Sequence, residues 1–482
     1  MTRFLHRLAQ PWAHAGSAYS IPGTLVIKLR LGEVPEHLPS LADVRRNVRD
    51  QESFLKVEAV DRILKHFTDD CWVSRLHSSL AARKDVDNGA DQFDDVEHAI
   101  GLSRTLHLEV DDECSIANLI DALRQLAIVE EASPQYLCTV PFGTMTQALD
   151  PDEARWPREQ IRAPEAMAFE PGDATVIVGV VDTGVERHHP ELRNRLRSGF
   201  NTVDFEKSDL ATGIRLVGHW SGPDSDPEDF VGHGTACAGI ISAVGDHIPP
   251  GVAGECRLLP IRVLAAALMP GREEPVGIGA IYDIDMGVKR AIDLGAKVLN
   301  MSFGTAASSL EPGDPKPHSD IVKYGVARGC VMVAASGNSG KEESYYPAGH
   351  DAVIAVGGVD RTGKPCTFST RGSHVALSGP AEGIVSSSLH GYAKASGTSF
   401  ATPFVTAASA LLVSYAEGRA EPLRGSDVKR VLQKSAQPFP SGADSRGCGA
   451  GILDCQAALR TMEKEFDEKN SAVLAAGGGR HA

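Results

Sequence analysis

From residue 175 onwards the chain contains short runs of almost unbroken apolar residues, and these runs constrain its fold more than any other feature. A strand with one solvated face alternates apolar and polar residues, whereas a strand covered on both faces does not. Helical stretches such as AIYDIDMGVKRAIDLG separate the runs. The pattern predicts βαβ units, and hence an α/β domain with a mostly parallel central sheet between two helical layers. The runs are TVIVGVVD (175–182), LLPIRVLAA (258–266), AKVLNMSFG (296–304), CVMVAASGN (330–338) and AVIAVGGVD (352–360).

Residues 23–140 follow a different pattern, which predicts a small, independent α+β domain. The run TLVIKLRL (24–31) alternates as a half-buried strand does, and TLHLEV is a second strand that ends at Val110. The segment SIANLIDALRQL has its apolar residues on one helical face and begins at Ser115, a favourable N-cap. EEASPQYLCTV supplies the last predicted strand of this domain.

The remaining segments are expected to connect or flank these two domains. Residues 1–22 are predicted to be a poorly ordered leader, and the charged, Pro-containing stretch 141–155 a linker. The parallel-sheet domain is assigned to residues 156–460. The stretch 461–482, which is charged and then Gly-rich, is predicted to be a flexible tail.

Composition excludes some classes of function. The formal net charge of −15 offers no basic surface for nucleic acid, so no nucleic-acid partner is expected. No uninterrupted apolar stretch is long enough to span a membrane, and the N-terminus lacks the apolar core of a secretory signal. The nine cysteines are scattered without a CxxC pair, which favours reduced thiols and a cytoplasmic location, although a pair between Cys448 and Cys455 and export by another route stay open.

Polar residues with chemical potential follow the apolar runs, where reactive groups collect at the edge of a parallel sheet. Asp182 ends TVIVGVV, His233 lies between two glycines in GHGTACAG, and Ser399 opens an apolar helix in SGTSFATP. Each has an ordinary explanation by itself: a turn aspartate, a histidine at a helix start, and a serine N-cap. The tripeptide DTG also occurs around aspartic-protease carboxylates, but the chain has one such tripeptide in such a setting.

Together these residues match the requirements of nucleophilic catalysis. A serine hydroxyl needs a base to take its proton, and the base needs a carboxylate to orient it. The chain order Asp, His, Ser differs from that of chymotrypsin and of the α/β-hydrolases and matches that of subtilisin. The G-x-S-x-G elbow of lipases and esterases is absent, because Ala401 occupies the position of its final glycine.

The segments DTGVERHHPEL, GHGTACAG and SGTSFATP resemble the three active-site signatures of the subtilase family of serine proteases (peptidase family S8). The resemblance extends from about Trp156 to Leu459. It implies a subtilisin-like three-layer fold and a serine endopeptidase that acts on proteins or peptides. In that reading Asp182 orients His233, His233 is the general acid and base, and Ser399 is the nucleophile. Asn338, which follows the run CVMVAASG, resembles the family's oxyanion-hole asparagine.

The resemblance also implies where substrate binds. Gly277 and Gly279 resemble one edge strand and the segment Ser302-Phe303-Gly304 the opposite edge, so that a peptide would add as a strand between them. Ala335, Ser336 and Gly337 would line the pocket for the side chain that precedes the cleaved bond. Either Tyr345 or Tyr346 is expected to fill the far end of that pocket and narrow it.

No cofactor is expected to be required, and no metal is assigned to the site. Subtilases often hold structural calcium, and Glu191 with Asp246 lies in comparable positions. Calcium needs six or more oxygen ligands, and the sequence nominates these two acids. Cys237, close to His233, is expected to be a small buried residue without a chemical role.

Subtilases commonly carry an N-terminal propeptide that assists folding and blocks the active site. Residues 23–140 have a suitable pattern and position, and the resemblance implies an intramolecular inhibitor and a zymogen. Cleavage is then expected between Leu137 and Trp156. A permanent recognition domain that is never removed is the alternative. A protease-shaped scaffold without turnover and an esterase or transferase that uses the same triad are the alternatives to an endopeptidase.

Overall fold

The computed structural model describes residues 20–33, 37–79, 92–111, 113–140, 144–147, 151–206, 209–210, 213–389 and 391–477. The N-terminal region comprises β1 (Ser20–Leu29), α1 (Leu41–Arg45), β2 (Glu52–Ser53), α2 (Glu58–Phe67), β3 (Cys71–Arg75), α3 (Asp95–Ile100), β4 (Thr105–Val110), α4 (Ile116–Leu123) and β5 (Val129–Thr139). Ser115 is the N-cap of α4, as predicted, although its side chain makes no capping hydrogen bond.

The larger region begins with β6 (Thr144–Gln147), α5 (Arg155–Gln160), α6 (Ala163–Phe169), β7 (Ile177–Asp182), β8 (Phe200–Asn201), β9 (Arg215–Val217), α7 (His233–Ser242), β10 (Arg257–Arg262), β11 (Ala265–Leu268), β12 (Val276–Ala280) and α8 (Ile281–Asp293). It continues with β13 (Val298–Met301), β14 (Thr305–Ala306), α9 (Ser319–Ala327), β15 (Val331–Ala335), β16 (Tyr345–Tyr346), β17 (Ile354–Val359), β18 (Val375–Pro380), β19 (Ile384–Ser388), β20 (Gly391–Ser396), α10 (Thr398–Glu417), α11 (Gly425–Ser435) and α12 (Cys455–Gly477).

The core of the larger region is a seven-stranded sheet in the order β18-β17-β15-β13-β7-β10-β8, in which every neighbouring pair is parallel. Its side chains alternate between two apolar clusters. Val178 and Val180 of β7 belong to the cluster that contains α7 and α10, whereas Ile177 and Val181 belong to the cluster that contains α8 and α9. Each buried side chain of this size stabilises the fold by about 1.5–3 kcal/mol. The predicted three-layer α/β architecture is confirmed.

The N-terminal region is an antiparallel sheet in the order β2-β3-β4-β1-β5 with α2 and α4 packed on one face. Its other face lies against α8 and α9, where the ring of His107 is 4.9 Å from that of Tyr282 and Lys28 pairs with Asp320 at 2.9 Å. Strand β1 alternates as predicted for a half-buried strand, with Leu25 and Ile27 fully buried and Val26 half-buried, and Lys28 departs from this pattern because the larger region covers it. The side chain of Lys28 is only 3% exposed, and the ion pair with Asp320 compensates the buried charge.

The N-terminal sheet does not end at β5, since β5 pairs antiparallel with β12 through Leu137, Cys138 and Thr139. The result is one eight-stranded sheet that runs from β2 to β9 across both regions. The small α+β domain is present as predicted, but it is not independent of the chain that follows it.

The predicted boundaries need correction. Strand β1 already begins at Ser20, inside the predicted leader 1–22, of which residues 1–19 lie outside the described part. The predicted linker 141–155 contains β6, which pairs with β20. The predicted flexible tail is wrong for residues 461–477, because α12 continues to Gly477. Met462 is buried on that helix, and the ring of Phe466 stacks 6.0 Å from that of Tyr415.

Two apolar segments adopt structures that their composition alone does not predict. The run 258–266 divides into β10 and β11, which belong to different sheets. Helix α10 is long and apolar enough to cross a membrane, but every residue of it except Glu417 is buried in the core of the protein, where it packs on the central sheet.

Candidate active site

Asp182 and His233 form a buried pair at the end of the central sheet. Asp182 is the last residue of β7, and its Oδ1 lies 2.7 Å from His233 Nδ1. The backbone N–H of Thr183 donates to the same oxygen at 2.8 Å. The Asp182 side chain is fully buried and that of His233 is 5% exposed, so the pair interacts in surroundings of low polarity.

Local sequence explains how His233 reaches Asp182. The carboxylate of Asp229 accepts from the N–H groups of Gly232 and Thr235 and thereby shapes the turn that starts α7. Gly234 has no room for a side chain, because an added Cβ would lie 2.1 Å from the carbonyl oxygen of Gly184. The glycine therefore allows α7 to approach the end of β7 closely enough for the Asp–His contact.

Ser399 lies in the first turn of α10, where N–H groups without helical partners and the helix dipole favour negative charge. Gly397 at the N-cap has φ 151°, a backbone conformation that favours glycine. The hydroxyl of Ser399 donates to the carbonyl oxygen of Ser302 at 3.2 Å, and the hydroxyl of Ser302 donates to the carbonyl oxygen of Ser399 at 2.9 Å. Segment 302–304 is thus fixed to the start of α10.

His233 and Ser399 belong to adjacent parts of the site. The ring of Phe400 lies 5.2 Å from that of His233, and the thiol of Cys237, one turn further along α7, is 3.5 Å from the carbonyl oxygen of Ser399. The pKa of Cys237 is raised well above its ordinary value by burial and by the Asp182 charge, so the thiol stays neutral. Within the described residues, His233 Nε2 has no hydrogen-bond partner.

Asn338 is held beside the same helix start. Its Oδ1 accepts from both the N–H and the hydroxyl of Thr398, each at 2.9 Å. Its amide nitrogen lies against Gly397, where an added Cβ would be 3.1 Å from Nδ2. The orientation of the Asn338 amide is therefore determined by Thr398, and its donor group is next to the N-terminus of α10.

The two predicted edges face a common groove, and the end of β5 occupies it. Thr139 pairs with Ile278 and Cys138 with Gly279 on one side. On the other side, the N–H of Gly304 donates to the carbonyl oxygen of Thr139 at 3.2 Å. The N–H of Val140 donates to the carbonyl oxygen of Gly277 at 3.2 Å. Residues 137–140 thus form the middle strand between the two edges.

The other predicted pocket residues are also near the site. Ala335, the last residue of β15, and Ser336 and Gly337, which follow it, are all buried, and the N–H of Gly337 donates to the hydroxyl of Thr398 at 3.3 Å. Phe303 is completely buried, and its ring lies 5.8 Å from that of His318, so this residue borders the groove through its backbone.

The residues nominated for calcium do not fit a cation. Both oxygens of Glu191 accept hydrogen bonds from the consecutive N–H groups of residues 245–248, at 2.6–3.2 Å. A calcium site presents oxygen lone pairs to the ion, whereas this loop presents N–H groups to a carboxylate. The side chain of Asp246 is 62% exposed and points to His247. The described residues of this loop therefore bind the Glu191 carboxylate and do not offer oxygen ligands to a cation.

Asp182, His233 and Cys237 are the described group whose potential metal-ligand atoms lie within 4.8 Å of one another. Asp182 and His233 are bonded to each other, and Cys237 keeps its proton. All nine cysteines, Cys448 and Cys455 included, are free thiols.

Sequence reasoning missed the residues that position the site rather than form it. Asp229, Thr183 and Thr398 hold the His233 turn, the Gly234 N–H and the Asn338 amide respectively. Asp229 precedes the GHG segment by a short interval, which is a helix-start signal that could have been recognised. The contact of Thr398 with Asn338 joins residues 60 positions apart and has no local signal.

Comparison with known proteins adds to this geometry. The model of the subtilase family matches residues 173–451, which include each of the residues just described from β7 to α10. The chain belongs to the subtilase family. Thermitase from Thermoactinomyces vulgaris is 33% identical over 284 residues, which are 58% of this chain and 86% of thermitase.

Other relatives agree. The major intracellular serine protease of Bacillus subtilis is 33% identical over 58% of this chain and 81% of its own length. A solved structure of a protease from Pseudoalteromonas arctica superposes on this subtilase with a TM-score of 0.53 and 23% sequence identity. The match covers 64% of this chain and 97% of the Pseudoalteromonas chain, which supports the shared fold. This subtilase is a subtilisin-like serine endopeptidase, with proteins or peptides as substrates.

Proposed function

We propose that this subtilase hydrolyses peptide bonds through Ser399 as nucleophile, His233 as general base and acid, and Asp182 as the group that orients the imidazole. The observation that carries the proposal is the buried 2.7 Å contact between Asp182 Oδ1 and His233 Nδ1, beside the helix start that bears Ser399. Because Nδ1 is engaged with Asp182, Nε2 is the ring nitrogen that accepts a proton.

The reaction follows from these roles. The Ser399 hydroxyl rotates away from the Ser302 carbonyl oxygen, and its Oγ attacks the carbonyl carbon of the substrate while the proton passes to His233 Nε2. The substrate oxygen becomes negative and accepts hydrogen bonds from the Asn338 amide and the Ser399 N–H. Collapse of the intermediate releases the amine, which takes the proton from His233. Water then hydrolyses the acyl-enzyme by the same steps.

A fluorophosphonate probe, which labels an activated serine, tests this assignment. We expect the wild type to be labelled and Ser399→Ala not to be. Ser409→Ala is the matched control, because Ser409 lies on the same helix and donates only within that helix, to the carbonyl oxygen of Val405. Equal labelling of Ser399→Ala and wild type would exclude Ser399 as the nucleophile.

We also propose that residues 23–140 act as an intramolecular inhibitor and that the protein is made as a zymogen. Residues 137–140 lie in the groove that a substrate strand would use, with hydrogen bonds to both edges. Charged contacts support this domain arrangement. Arg45 pairs with Asp204 and Asp283 at 2.7 and 2.6 Å, and Asp314 accepts from Arg124 and Tyr136. A substrate must displace this strand before it can bind.

Self-cleavage is proposed to fall between Leu137 and Trp156. The strand pairing on both sides of residues 141–143 supports this location: β5 lies along β12, and β6 lies along β20, whose last residue, Ser396, is close to Ser399 in the chain. Mass spectrometry of the purified wild type beside Ser399→Ala tests the proposal. We expect an N-terminal fragment from the wild type alone. An intact wild type that is nevertheless active would indicate a permanent recognition domain instead.

Location and cofactor requirement are proposals as well. We infer a cytoplasmic enzyme from the reduced cysteines and from similarity to a relative named as intracellular, and cell fractionation tests this. We infer that no cofactor and no structural calcium at the Glu191 loop are required. Retention of activity and melting temperature in excess EDTA is the expected result, and a large loss of either would contradict it.

A further inference from the structure

The two strands that lead to the site leave a gap beside Ser399. Strands β13 and β15 are parallel neighbours, with Met301 paired to Ala334, and beyond this pair their chains continue as segments 302–304 and 335–337. Ser302 exchanges hydrogen bonds with Ser399, and Gly337 exchanges them with Thr398. Both segments are therefore anchored to the same end of α10, and the gap between them opens next to the Ser399 hydroxyl.

A substrate side chain is directed to this gap by strand register. In the antiparallel pairing of β5 with the groove, Thr139 is opposite Gly304. A peptide in the same register has the residue two positions further on opposite Ser302, because antiparallel partners advance in opposite directions. That residue is the one that precedes the cleaved bond, called P1, and it carries the carbonyl group next to Ser399. Its side chain therefore meets the gap between segments 302–304 and 335–337.

The ring of Tyr345 fills that gap. An added Cβ on Gly337 would lie 2.5 Å from Tyr345 Cδ2, and one on Gly304 would lie 3.2 Å from Tyr345 Cβ, so the tyrosine contacts both walls. The pairing of Tyr345 with Ala306 and of Tyr346 with Thr305, between β16 and β14, anchors its backbone. Tyr345 is 9% exposed. A buried ring between two glycine walls occupies the volume that a large P1 side chain would need.

We propose that Tyr345 determines the specificity of this enzyme by closing the pocket for the P1 side chain, so that cleavage follows small residues such as alanine, glycine or serine. This inference rests on the proposed role of Ser399, because it places the pocket relative to that hydroxyl. A large P1 side chain could bind only if the Tyr345 ring left both glycine walls. Tyr345 is thus a specificity-determining residue, and the glycines at 304 and 337 make room for its ring.

The test uses the full chain, which is preincubated until mass spectrometry shows that processing is complete. The concentration of active sites is then titrated with a fluorophosphonate probe. Tetrapeptide p-nitroanilides that differ only in alanine or phenylalanine at P1 are the substrates. Wild type should prefer alanine. Tyr345→Gly should raise the ratio of kcat/KM for phenylalanine over alanine by about 30- to 100-fold, since it creates space for an apolar ring. Tyr345→Phe is the matched control and should leave the ratio within about threefold of wild type, because the ring remains.

Several outcomes would overturn the inference. An unchanged ratio in a folded Tyr345→Gly protein that still labels with the probe would do so and would leave the role of Ser399 intact. A wild type that cleaves a peptide library after phenylalanine, tyrosine or leucine as readily as after alanine would also do so, even if the glycine variant does not fold. Absence of both labelling and cleavage in the wild type would instead refute the proposed function, and the inference with it.

Discussion

Replacing Arg45 with alanine tests whether the N-terminal domain holds the active site closed. The guanidinium of Arg45 lies between Asp204 and Asp283, at 2.7 and 2.6 Å, and 5.0 Å from the centre of the Tyr282 ring. The Arg45 side chain is 9% exposed, and that of Asp283 is fully buried. The N-terminal domain contributes the cation, and the larger domain contributes both carboxylates and the ring.

The magnitude follows from the burial of the partner left behind. Removing one member of a buried ion pair costs about 3–5 kcal/mol, because the partner left behind is buried without compensation. Burial raises the pKa of Asp283 to about 7, so without Arg45 this carboxyl must stay charged in the interior or take up a proton. Among the described residues, the hydrogen bond left to the Asp283 carboxylate is a weak one from the N–H of Asp204 at 3.3 Å. At the lower limit, about 3 kcal/mol corresponds to a shift of about 150-fold in the equilibrium between the closed and open arrangements.

The assay is the initial rate at which a fluorophosphonate probe labels the intact chain. If the probe reaches Ser399 only in the open arrangement, the rate for Arg45→Ala should exceed that of wild type by about two orders of magnitude. Arg46→Ala is the matched control. Arg46 lies next in the chain, is 54% exposed and bonds only within its own helix, to Ala42 and Asp43, so its replacement should leave the rate unchanged. A folded Arg45→Ala protein that is labelled within twofold of the wild-type rate would refute the reasoning.

Other expected results concern the catalytic group and stability. Asn338→Ala should lower kcat by about 10²–10³-fold with little change in KM, as measured on a peptide p-nitroanilide. Asp182→Asn should lower kcat by about 10⁴-fold without loss of fold, because an amide no longer selects the correct imidazole tautomer; a loss below tenfold would contradict the orienting role. Glu191→Gln should lower the free energy of unfolding by about 2 kcal/mol, because the loop N–H groups lose a charged acceptor. Burial raises the pKa of Glu191, but the N–H donors of residues 245–248 outweigh it and hold the pKa below 4.5, so this stability is present above that pH and is lost as pH falls further. Burial lowers the pKa of His318, but the adjacent Asp285 carboxylate raises it to about 9. The stability that His318 contributes is therefore fully present below about pH 6.5 and is lost as the pH rises through about 9. Asp285→Asn should abolish this loss of stability at alkaline pH, as measured by melting curves over a series of pH values.

The residues at the core of the candidate active site could be nominated from short segments of sequence. Asp182, His233 and Ser399 each lie at the end of a buried strand or the start of a helix, inside segments with glycine neighbours. Such positions are local, so composition and order along the chain reveal them. The supports of these residues are not local. Thr398 orients Asn338 across 60 positions, and no pattern near either residue predicts that contact.

The larger errors concerned segments whose partners are distant. Strand β1 has the predicted half-buried pattern, except that Lys28 on its more polar face is buried in an ion pair. The partner in that pair, Asp320, lies 292 positions further along the chain. Likewise, the charged residues of α12 suggested a flexible tail, whereas Met462 and Phe466 form an apolar stripe that packs on the core. A pattern of charges reports the solvated face of a segment and says little about what covers the other face.

The sequence by itself determined the class of chemistry: a carboxylate, an imidazole, a hydroxyl and an amide in an order and setting that match the subtilase family. Tertiary structure decided what occupies the groove and the pocket. Backbone hydrogen bonds pair β5 with β12, and such bonds leave no mark on side-chain composition. Adjacent residues on a strand point to opposite sides, so only the pairing of β16 with β14 distinguishes Tyr345, whose ring lies between Gly304 and Gly337, from Tyr346.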